Sequence, residues 1–312
     1  MTSTFSNWAK SVTVYWNSYL IQGAKKMIIY IANALHLIAR DAEGVAADYG
    51  LAPDGRPSNG VNRPYWDTLF ALLNKEAVPV TARFRLWRDS GAAVAWPDTG
   101  LDHSDVILEP GLSWAASFIP NNGWANPPLD WAGHCSIETL KLSPFGSISA
   151  NSVYAWAMAS GGNWDGKSPS VEVPVRKDLL ARAEWFLPYA IPNFEDANHT
   201  GADAYETGLA VPNFSPQAVT VTITYVVNQN YVSKGQRWSF QKSIPANGGV
   251  RFSMIEELRA VGYNPINPAT GEPQPNTEGH IEIVSGMAAQ LFPHAVIATK
   301  SYQFATGEGF AD

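Results

Sequence analysis

Several short stretches of the chain alternate between hydrophobic and polar residues, which is typical of strands with one buried face. In the clearest stretch, 219–225, Val219, Val221 and Ile223 alternate with three threonines. Turns that contain Pro and Gly separate such stretches along most of the chain. This organisation predicts a mainly β protein with antiparallel sheets, not a parallel sheet with crossover helices.

The N-terminal residues follow two patterns, which together predict an arm over residues 1–62. The stretch 11–21 is rich in β-branched and aromatic residues and predicts a strand. Apolar residues then recur from 28 to 45 at alternating spacings of three and four, which predicts an amphipathic helix. The helix either packs on its own domain or, together with the strand, docks on a neighbouring subunit. In the second case the assembly interface consists of the apolar residues Val12, Val14, Trp16, Leu20, Ile28, Ile31, Leu35 and Ile38.

An internal repeat follows the arm. A stretch at 65–74 has a counterpart at 205–213, and in both regions a Pro- and Gly-containing turn later precedes a strand. A Gly-His pair then opens another strand, at Gly133 in the first region and at Gly279 in the second. Self-similarity at so long a period indicates tandem domains. We therefore predict a first sandwich at 63–160, a linker at 161–180 and a second sandwich at 181–312, with a short helix that ends at Gly262.

The second half resembles a known sandwich module. The residues that carry the resemblance are Leu-Pro-Tyr-Ala-Ile-Pro at 187–192, the segment 207–211 with Asn213, the segment 219–222 with Tyr225, and the segments 244–248, 256–258 and 279–283. Together they are similar to an Ig-like β-sandwich module of bacterial extracellular and surface proteins. The resemblance covers 185–300 and implies two tandem Ig-like sandwiches, because the first half shares the repeat. Such modules serve as spacers, adhesion units or surface structure.

Composition narrows the possible functions. The chain has 46% hydrophobic residues, which excludes a mostly disordered protein. Its net charge of −7 lacks the basic footprint of a nucleic-acid binder. The longest apolar stretch, 27–39, is shorter than the roughly 20 residues that a membrane-spanning helix needs. A single cysteine, Cys135, excludes an internal disulfide framework and a cysteine-based zinc site.

Catalytic signatures are absent from the sequence. It contains no nucleophile elbow, zinc-protease helix motif, phosphate-binding loop or dinucleotide fingerprint. The recurrence of Gly-His at equivalent strands favours a structural role for His134 and His280. We therefore expect a protein that is not an enzyme.

One loop has a calcium-like spacing of oxygen side chains. Asp196, Asn198, Thr200 and Asp203 could supply ligands, and Gly201 lies where a tight turn would help. The twelfth position, however, is Thr207 and not Glu. We expect no cofactor, with Ca²⁺ at this loop as the alternative.

Tryptophan is concentrated in the first half, where ten of the twelve lie before residue 165. Exposed rings stack on sugars, whereas buried rings fill cores and subunit interfaces. The residues that a glycan would contact under the first interpretation are Trp87, Trp96, Trp114 and Trp124.

These observations favour a non-catalytic structural subunit whose partners are copies of itself. We expect assembly through the N-terminal arm into an extracellular filament or surface layer. A capsid or tail protein of a virion is the first alternative, favoured by the absence of an evident secretory signal. A carbohydrate-binding or adhesion protein that uses exposed tryptophans is the second.

Overall fold

The computed structural model describes residues 28–38, 65–118, 123–128, 131–141, 153–162, 170–173, 175–177, 179–193, 205–274, 276–299 and 304–308. The chain divides into two compact units. The first comprises Met1–Arg88 with Ala93–Asp178, and the second comprises Asp89–Ala92 with Leu179–Asp312. Both are mainly β with antiparallel strand pairing, as the alternation of hydrophobic and polar residues predicts.

The first unit contains nine described strands. They are β1 (Ile28–Ile38), β2 (Tyr65–Asn74), β3 (Val80–Arg88), β4 (His103–Leu108), β5 (Ser113–Ser117), β6 (Trp131–Lys141), β7 (Val153–Gly162), β8 (Ser170–Val173) and β9 (Val175–Lys177). Their order is β4-β3-β6-β1-β2-β7-β8, with β5 beside β2 and β9 beside β1. Strand β1 pairs with β6 along most of its length and reaches β2 through Leu37 and Ile38.

The second unit contains eight described strands and a short helix. They are β10 (Arg182–Ala190), β11 (Tyr205–Pro212), β12 (Val219–Val227), β13 (Arg237–Ile244), β14 (Gly249–Ser253), α1 (Met254–Ala260), β15 (Gly279–Ala289), β16 (His294–Thr299) and β17 (Phe304–Glu308). One sheet has the order β10-β15-β12-β13 and the other β14-β11-β16-β17. The helix lies where the sequence predicts one.

The two units share most of one strand-pairing scheme, although β1–β2 pairing joins the first unit's strands into one sheet and the second unit's described strands form two sheets. In the first, β3 lies between β4 and β6, and β6 is next to β1; in the second, β12 lies between β13 and β15, and β15 is next to β10. Likewise β2 lies between β5 and β7, with β8 beyond, and β11 lies between β14 and β16, with β17 beyond. The repeat seen in the sequence is therefore also a repeat of strand order.

The register places the two Gly-His pairs at equivalent points of this scheme. Gly133 on β6 is opposite Arg88 on β3, and Gly279 on β15 is opposite Val227 on β12. A Cβ atom at Gly133 would lie 1.6 Å from the carbonyl oxygen of Trp87, and one at Gly279 would lie 2.1 Å from that of Val226. Both glycines are thus required by a close approach of two backbones.

Each unit has its own hydrophobic core, which is formed by residues from both sets of paired strands in that unit. Phe70 of β2 and Phe84 of β3 meet with ring centroids 5.7 Å apart in the first core. The second core includes Leu209 of β11, Ile223 of β12 and Leu258 of α1. Two layers around one core are compatible with a β-sandwich in each unit.

Residues 28–38 form strand β1, so the prediction of a helix is wrong over these residues. The strand pairs with β6 in nine residue pairs, from Ile28 with Thr139 to His36 with Trp131. Spacings of three and four fit a helix, but the run is also rich in isoleucine. A partner strand decides between the two conformations, because strand preference depends on context.

The segment 161–180, interpreted as a linker, contains β8 and β9. Strand β8 pairs with β7, and β9 pairs with β1. The second unit resumes after Asp178, at Leu179. The predicted arm at 1–27 and 39–62 lies outside the described residues.

Candidate functional site

Two buried asparagines have equivalent structural roles at the ends of β2 and β11. Asn74 donates through Nδ2 to the carbonyls of Val78 (3.0 Å) and Leu108 (2.8 Å), and its Oδ1 accepts from the N–H of Glu76. Both its donors and its acceptor are therefore used to hold two turns in place. Such a side chain serves the fold, because its polar capacity is spent on neighbouring backbone.

Asn213 repeats this arrangement in the second unit. Its Nδ2 donates to the carbonyls of Gln217 and Pro245, each at 2.9 Å, and its Oδ1 accepts from the N–H of Ser215 at 2.9 Å. Asn213, like Asn74, has no exposed surface. The repeat thus extends from strand order to individual hydrogen bonds.

A different set of polar groups lies at one end of the second unit's first sheet, where β10 ends, β15 begins and β12 ends. We call Tyr189, Asn228, Tyr231 and Glu278 the tyrosine–glutamate cluster. The phenols of Tyr189 and Tyr231 lie close enough to the Glu278 carboxylate for its charge to raise the pKa of both. Asn228 adds a long contact, with its Nδ2 3.5 Å from Oε2 of Glu278, and its backbone N–H donates to the Glu278 carbonyl at 2.9 Å. The described neighbours of this carboxylate are thus an amide and two phenols, all neutral.

A buried hydrogen-bond network lies next to this cluster in the second unit. Thr277, which precedes Glu278 in the chain, contacts the hydroxyls of Tyr225 (3.0 Å) and Tyr263 (2.7 Å) through its Oγ1. The loop that carries Tyr231 is tied to the same segment, because Oγ of Ser233 donates to Gln274 at 2.6 Å. Glu278 is thus held by residues that are themselves fixed, which is the requirement for a preorganised site.

The electrostatics of the cluster follow from burial and from the carboxylate. Partial burial, together with the charge of Glu278, raises the pKa of Tyr189 to about 12. Burial and the same carboxylate raise the pKa of Tyr231. Both phenols therefore stay protonated at neutral pH.

The outer face of the first unit's sheet carries ion pairs instead. Arg83 on β3 forms a bidentate pair with Asp105 on β4, with both N–O distances at 2.8 Å. Arg85 pairs with Asp102 and lies 3.4 Å from Glu138. The Arg83 contact lowers the pKa of the Asp105 carboxyl, and the contact with His103 lowers that of Asp102. These charges largely compensate one another.

Two of the tryptophans predicted to contact a glycan are buried in the structure and cannot stack on a sugar. Trp96 is 2% exposed and Trp124 is 6% exposed, and their ring centroids lie 5.0 Å apart in the core. Trp114 packs against the same core, with its ring 5.1 Å from that of Trp124. The proposed glycan contact is therefore wrong for Trp96 and Trp124, because a sugar needs an exposed ring face. Trp87 on β3 is half-buried, and its role stays a prediction.

The other predicted site residues divide between β1 and undescribed segments. On β1, the backbones of Ile28, Ile31 and Leu35 pair with β6, and Ile38 pairs with Tyr65 of β2. These backbones therefore belong to the first unit's own sheet. The remaining residues lie outside the described part of the chain, namely Val12, Val14, Trp16, Leu20, Asp196, Asn198, Thr200 and Asp203.

Within the described ranges, no group of three or more His, Cys, Asp or Glu side chains is arranged to hold a metal ion. In the same ranges, no helix is long and apolar enough to cross a membrane. Cys135 is buried in the first core, and burial raises the pKa of its thiol well above the ordinary value. A thiol in that state is a poor nucleophile.

Sequence reasoning missed the tyrosine–glutamate cluster. Its members come from positions 189, 228, 231 and 278, and no spacing along the chain connects them. One member, Tyr189, lies in the Leu-Pro-Tyr-Ala-Ile-Pro segment. That segment indicates the fold but gives no sign of a site.

Comparison with family models, with curated proteins and with solved structures finds no match to this chain.

Proposed function

We propose that the chain is a non-catalytic structural subunit that assembles with copies of itself into an extracellular filament or surface layer. The observation that carries the proposal is the duplicated scaffold, with one pairing scheme and one buried asparagine arrangement used twice. The finer assignment, two tandem Ig-like sandwiches, belongs to the same proposal. Repeated modules of this kind suit load-bearing and spacing roles, in which side chains serve packing and not chemistry.

The edge of the first unit supports self-association. Among the described strands β4 pairs with β3 alone and is therefore an edge strand of that part of the sheet. Three apolar side chains near that edge and the following turn are strongly exposed: Leu101 (49%), Ile107 (56%) and Leu112 (59%). An exposed edge with apolar side chains is a template for a further strand. The predicted strand at 11–21 of a neighbouring copy is the segment that we propose to fill it.

We assign the connector to the residues before Ile28 in this proposal, and the pairing of β1 with β6 of the first unit's own sheet supports that choice. Deleting residues 1–27 tests the proposal, whereas a longer deletion would also remove a strand. The full chain should form large assemblies in sedimentation velocity and negative-stain images, and residues 28–312 should remain folded monomers. A full chain that stays monomeric at high concentration contradicts self-assembly, and assemblies that persist unchanged in 28–312 contradict a role for the arm.

Matched substitutions locate the docking edge. Ile107→Lys places a charge on the β4 edge and should weaken assembly strongly, since Lys is a common protection of edge strands. Gln241→Lys places the same charge at an exposed position of β13, the corresponding strand of the second unit, and should leave assembly unchanged. Equal effects of the two would exclude β4 as the docking edge.

The virion alternative shares the same scaffold and differs in the form of the assembly. Images of the assemblies separate the two, because closed shells or tail tubes favour a virion protein and open filaments or sheets favour a surface structure.

A further inference from the structure

We propose that residues Asp89–Ala92, which we call the strap, hold the turn before β14 (Pro245–Gly248) and are a necessary part of the second unit. The strap follows β3 in sequence, yet it belongs to the same compact unit as Leu179–Asp312. The second unit is therefore built from two separate parts of the chain. This role does not depend on self-assembly, because the contacts that carry it lie within the second unit.

The first contact of the strap is a backbone hydrogen bond. The N–H of Gly249, the first residue of β14, donates to the carbonyl of Asp89 with an N–O distance of 2.9 Å. A Cβ atom at Gly248 would lie only 2.5 Å from the same carbonyl oxygen. The two backbones thus meet where a side chain has no room, which is a typical reason for glycine.

Gly91 meets the same turn from within the strap. Its φ of 84° is in the left-handed region, and a Cβ atom there would lie 2.2 Å from the carbonyl oxygen of Ala246. Any other residue would be disfavoured twice, by the backbone conformation and by a clash. Gly100 offers a comparison, because its φ is 68° but a Cβ atom there would have no atom within 4 Å. Glycine at 100 therefore serves the backbone conformation alone, whereas glycine at 91 also serves the contact with the turn.

An ion pair adds to these backbone contacts. Oδ1 of Asp89 pairs with Nη1 of Arg251 on β14. The two side chains are 35% and 26% exposed, so solvent screens the pair and its contribution to stability is small. The backbone contacts therefore carry most of the interaction, and the ion pair orients Asp89.

The strap is short, and the residues that flank it are fixed. The N–H of Val94 donates to the carbonyl of Leu86 at 2.9 Å, and both side chains are buried in the first core. A short segment that is closed at its base has few conformations to lose, so little conformational entropy opposes its contacts with the turn. The strap should therefore stay on the turn in the folded chain.

Amide hydrogen exchange of the full chain, measured by NMR at single residues, tests the strap. In the wild-type chain the N–H of Gly249 should exchange slowly, because its acceptor is the Asp89 carbonyl. Gly91→Ala should accelerate exchange at Gly249 at least about tenfold, since the added methyl group forces the strap away from the turn.

Gly100→Ala is the matched control, because it adds the same methyl group to a left-handed glycine at a place where a Cβ atom meets nothing within 4 Å. It should leave exchange at Gly249 unchanged. Free exchange at Gly249 in the wild-type chain would overturn the proposal without any variant. Wild-type exchange at Gly249 in Gly91→Ala, or equal acceleration there in Gly91→Ala and Gly100→Ala, would also overturn it.

Discussion

In the first unit aromatic rings fill much of the space between the layers, whereas aliphatic side chains and a tyrosine–threonine network fill it in the second. Trp124 contacts the rings of five aromatic residues of the first unit, among them Phe84 at 5.1 Å. At the position of Phe84, the second unit has Ile223. Most of the pairing scheme is nevertheless the same. Volume and alternation of core residues therefore specify this scaffold, and their identities are free to differ.

The two units share the positions at which the backbone is constrained. Gly133 and Gly279 allow close approach of two strands, and Asn74 and Asn213 hold turns. Gly111 and Asn247, each in the turn before the next strand, share a positive φ of 70° and 51°. These positions tolerate few residue types, which explains why the two units share them although their core residues differ.

Trp124→Ala should have the largest effect on this comparison. Removing a buried ring from the aromatic core leaves a cavity and should cost about 4 kcal/mol of unfolding free energy. Leu258→Ala in the second core should cost about 3 kcal/mol, because a smaller side chain is lost. Urea denaturation of each variant measures both values. A Trp124→Ala loss under about 1 kcal/mol would mean that the aromatic cluster does not stabilise the first unit.

Gly133→Ala and Gly279→Ala should each destabilise their own unit by about 3 kcal/mol, since the added methyl group meets a backbone carbonyl. Gly286→Ala is the matched control on β15, because a Cβ there has no atom within 4 Å. Thermal denaturation compares the three variants. If Gly286→Ala costs as much as Gly279→Ala, the close approach of two backbones is not the cause of the loss.

Acid should weaken the second unit through His294. Burial, with a further contribution from the charge of Arg251, lowers the pKa of this histidine to about 4, against about 6.5 in an unfolded chain. The unfolded state therefore binds more protons between these values, and unfolding free energy should fall by up to about 3 kcal/mol as pH drops from about 6.5 to about 4. Urea midpoints across this range measure the slope, and His294→Gln should flatten it. An unchanged slope in that variant would assign the effect to other groups.

Asn74→Ala and Asn213→Ala should each cost about 2 kcal/mol, because buried carbonyls lose their donor. Equal losses are expected from their matching hydrogen bonds. Asn267→Ala is the control: Oδ1 of Asn267 accepts from Ala269 at an exposed turn, and its loss should cost under about 0.5 kcal/mol. A large difference between Asn74→Ala and Asn213→Ala would show that the two arrangements do not carry equal weight.

Much of the β architecture follows from local pattern. The Val-Thr alternation predicts β12, the Gly-His pair at Gly279 predicts the start of β15, and the helix near Met254 ends close to Gly262 as expected. In each case the residues adjacent in sequence are enough to predict the element, because alternation and turn residues are local signals. Strand β6 instead begins at Trp131, two residues before Gly133.

Features that depend on distant partners were not predictable in this way. Residues 28–38 satisfy helical spacing, and only the pairing of Ile31 with Ser136 and its neighbours makes them a strand. The burial of Trp96 depends on the rings of Phe118 and Trp124, which are distant in sequence, and the tyrosine–glutamate cluster joins the ends of three strands. Tertiary contacts decide such positions, and composition does not reveal them.

Amide hydrogen exchange at Glu76 and Ser215 tests the duplicated scaffold most directly. Each N–H lies in a turn and donates to the side-chain oxygen of an asparagine, at 2.8 Å in the first unit and 2.9 Å in the second. We predict slow exchange at both sites, with Asn74→Ala accelerating Glu76 alone and Asn213→Ala accelerating Ser215 alone. Protection at one site and free exchange at the other would contradict the claim that one scaffold is built twice.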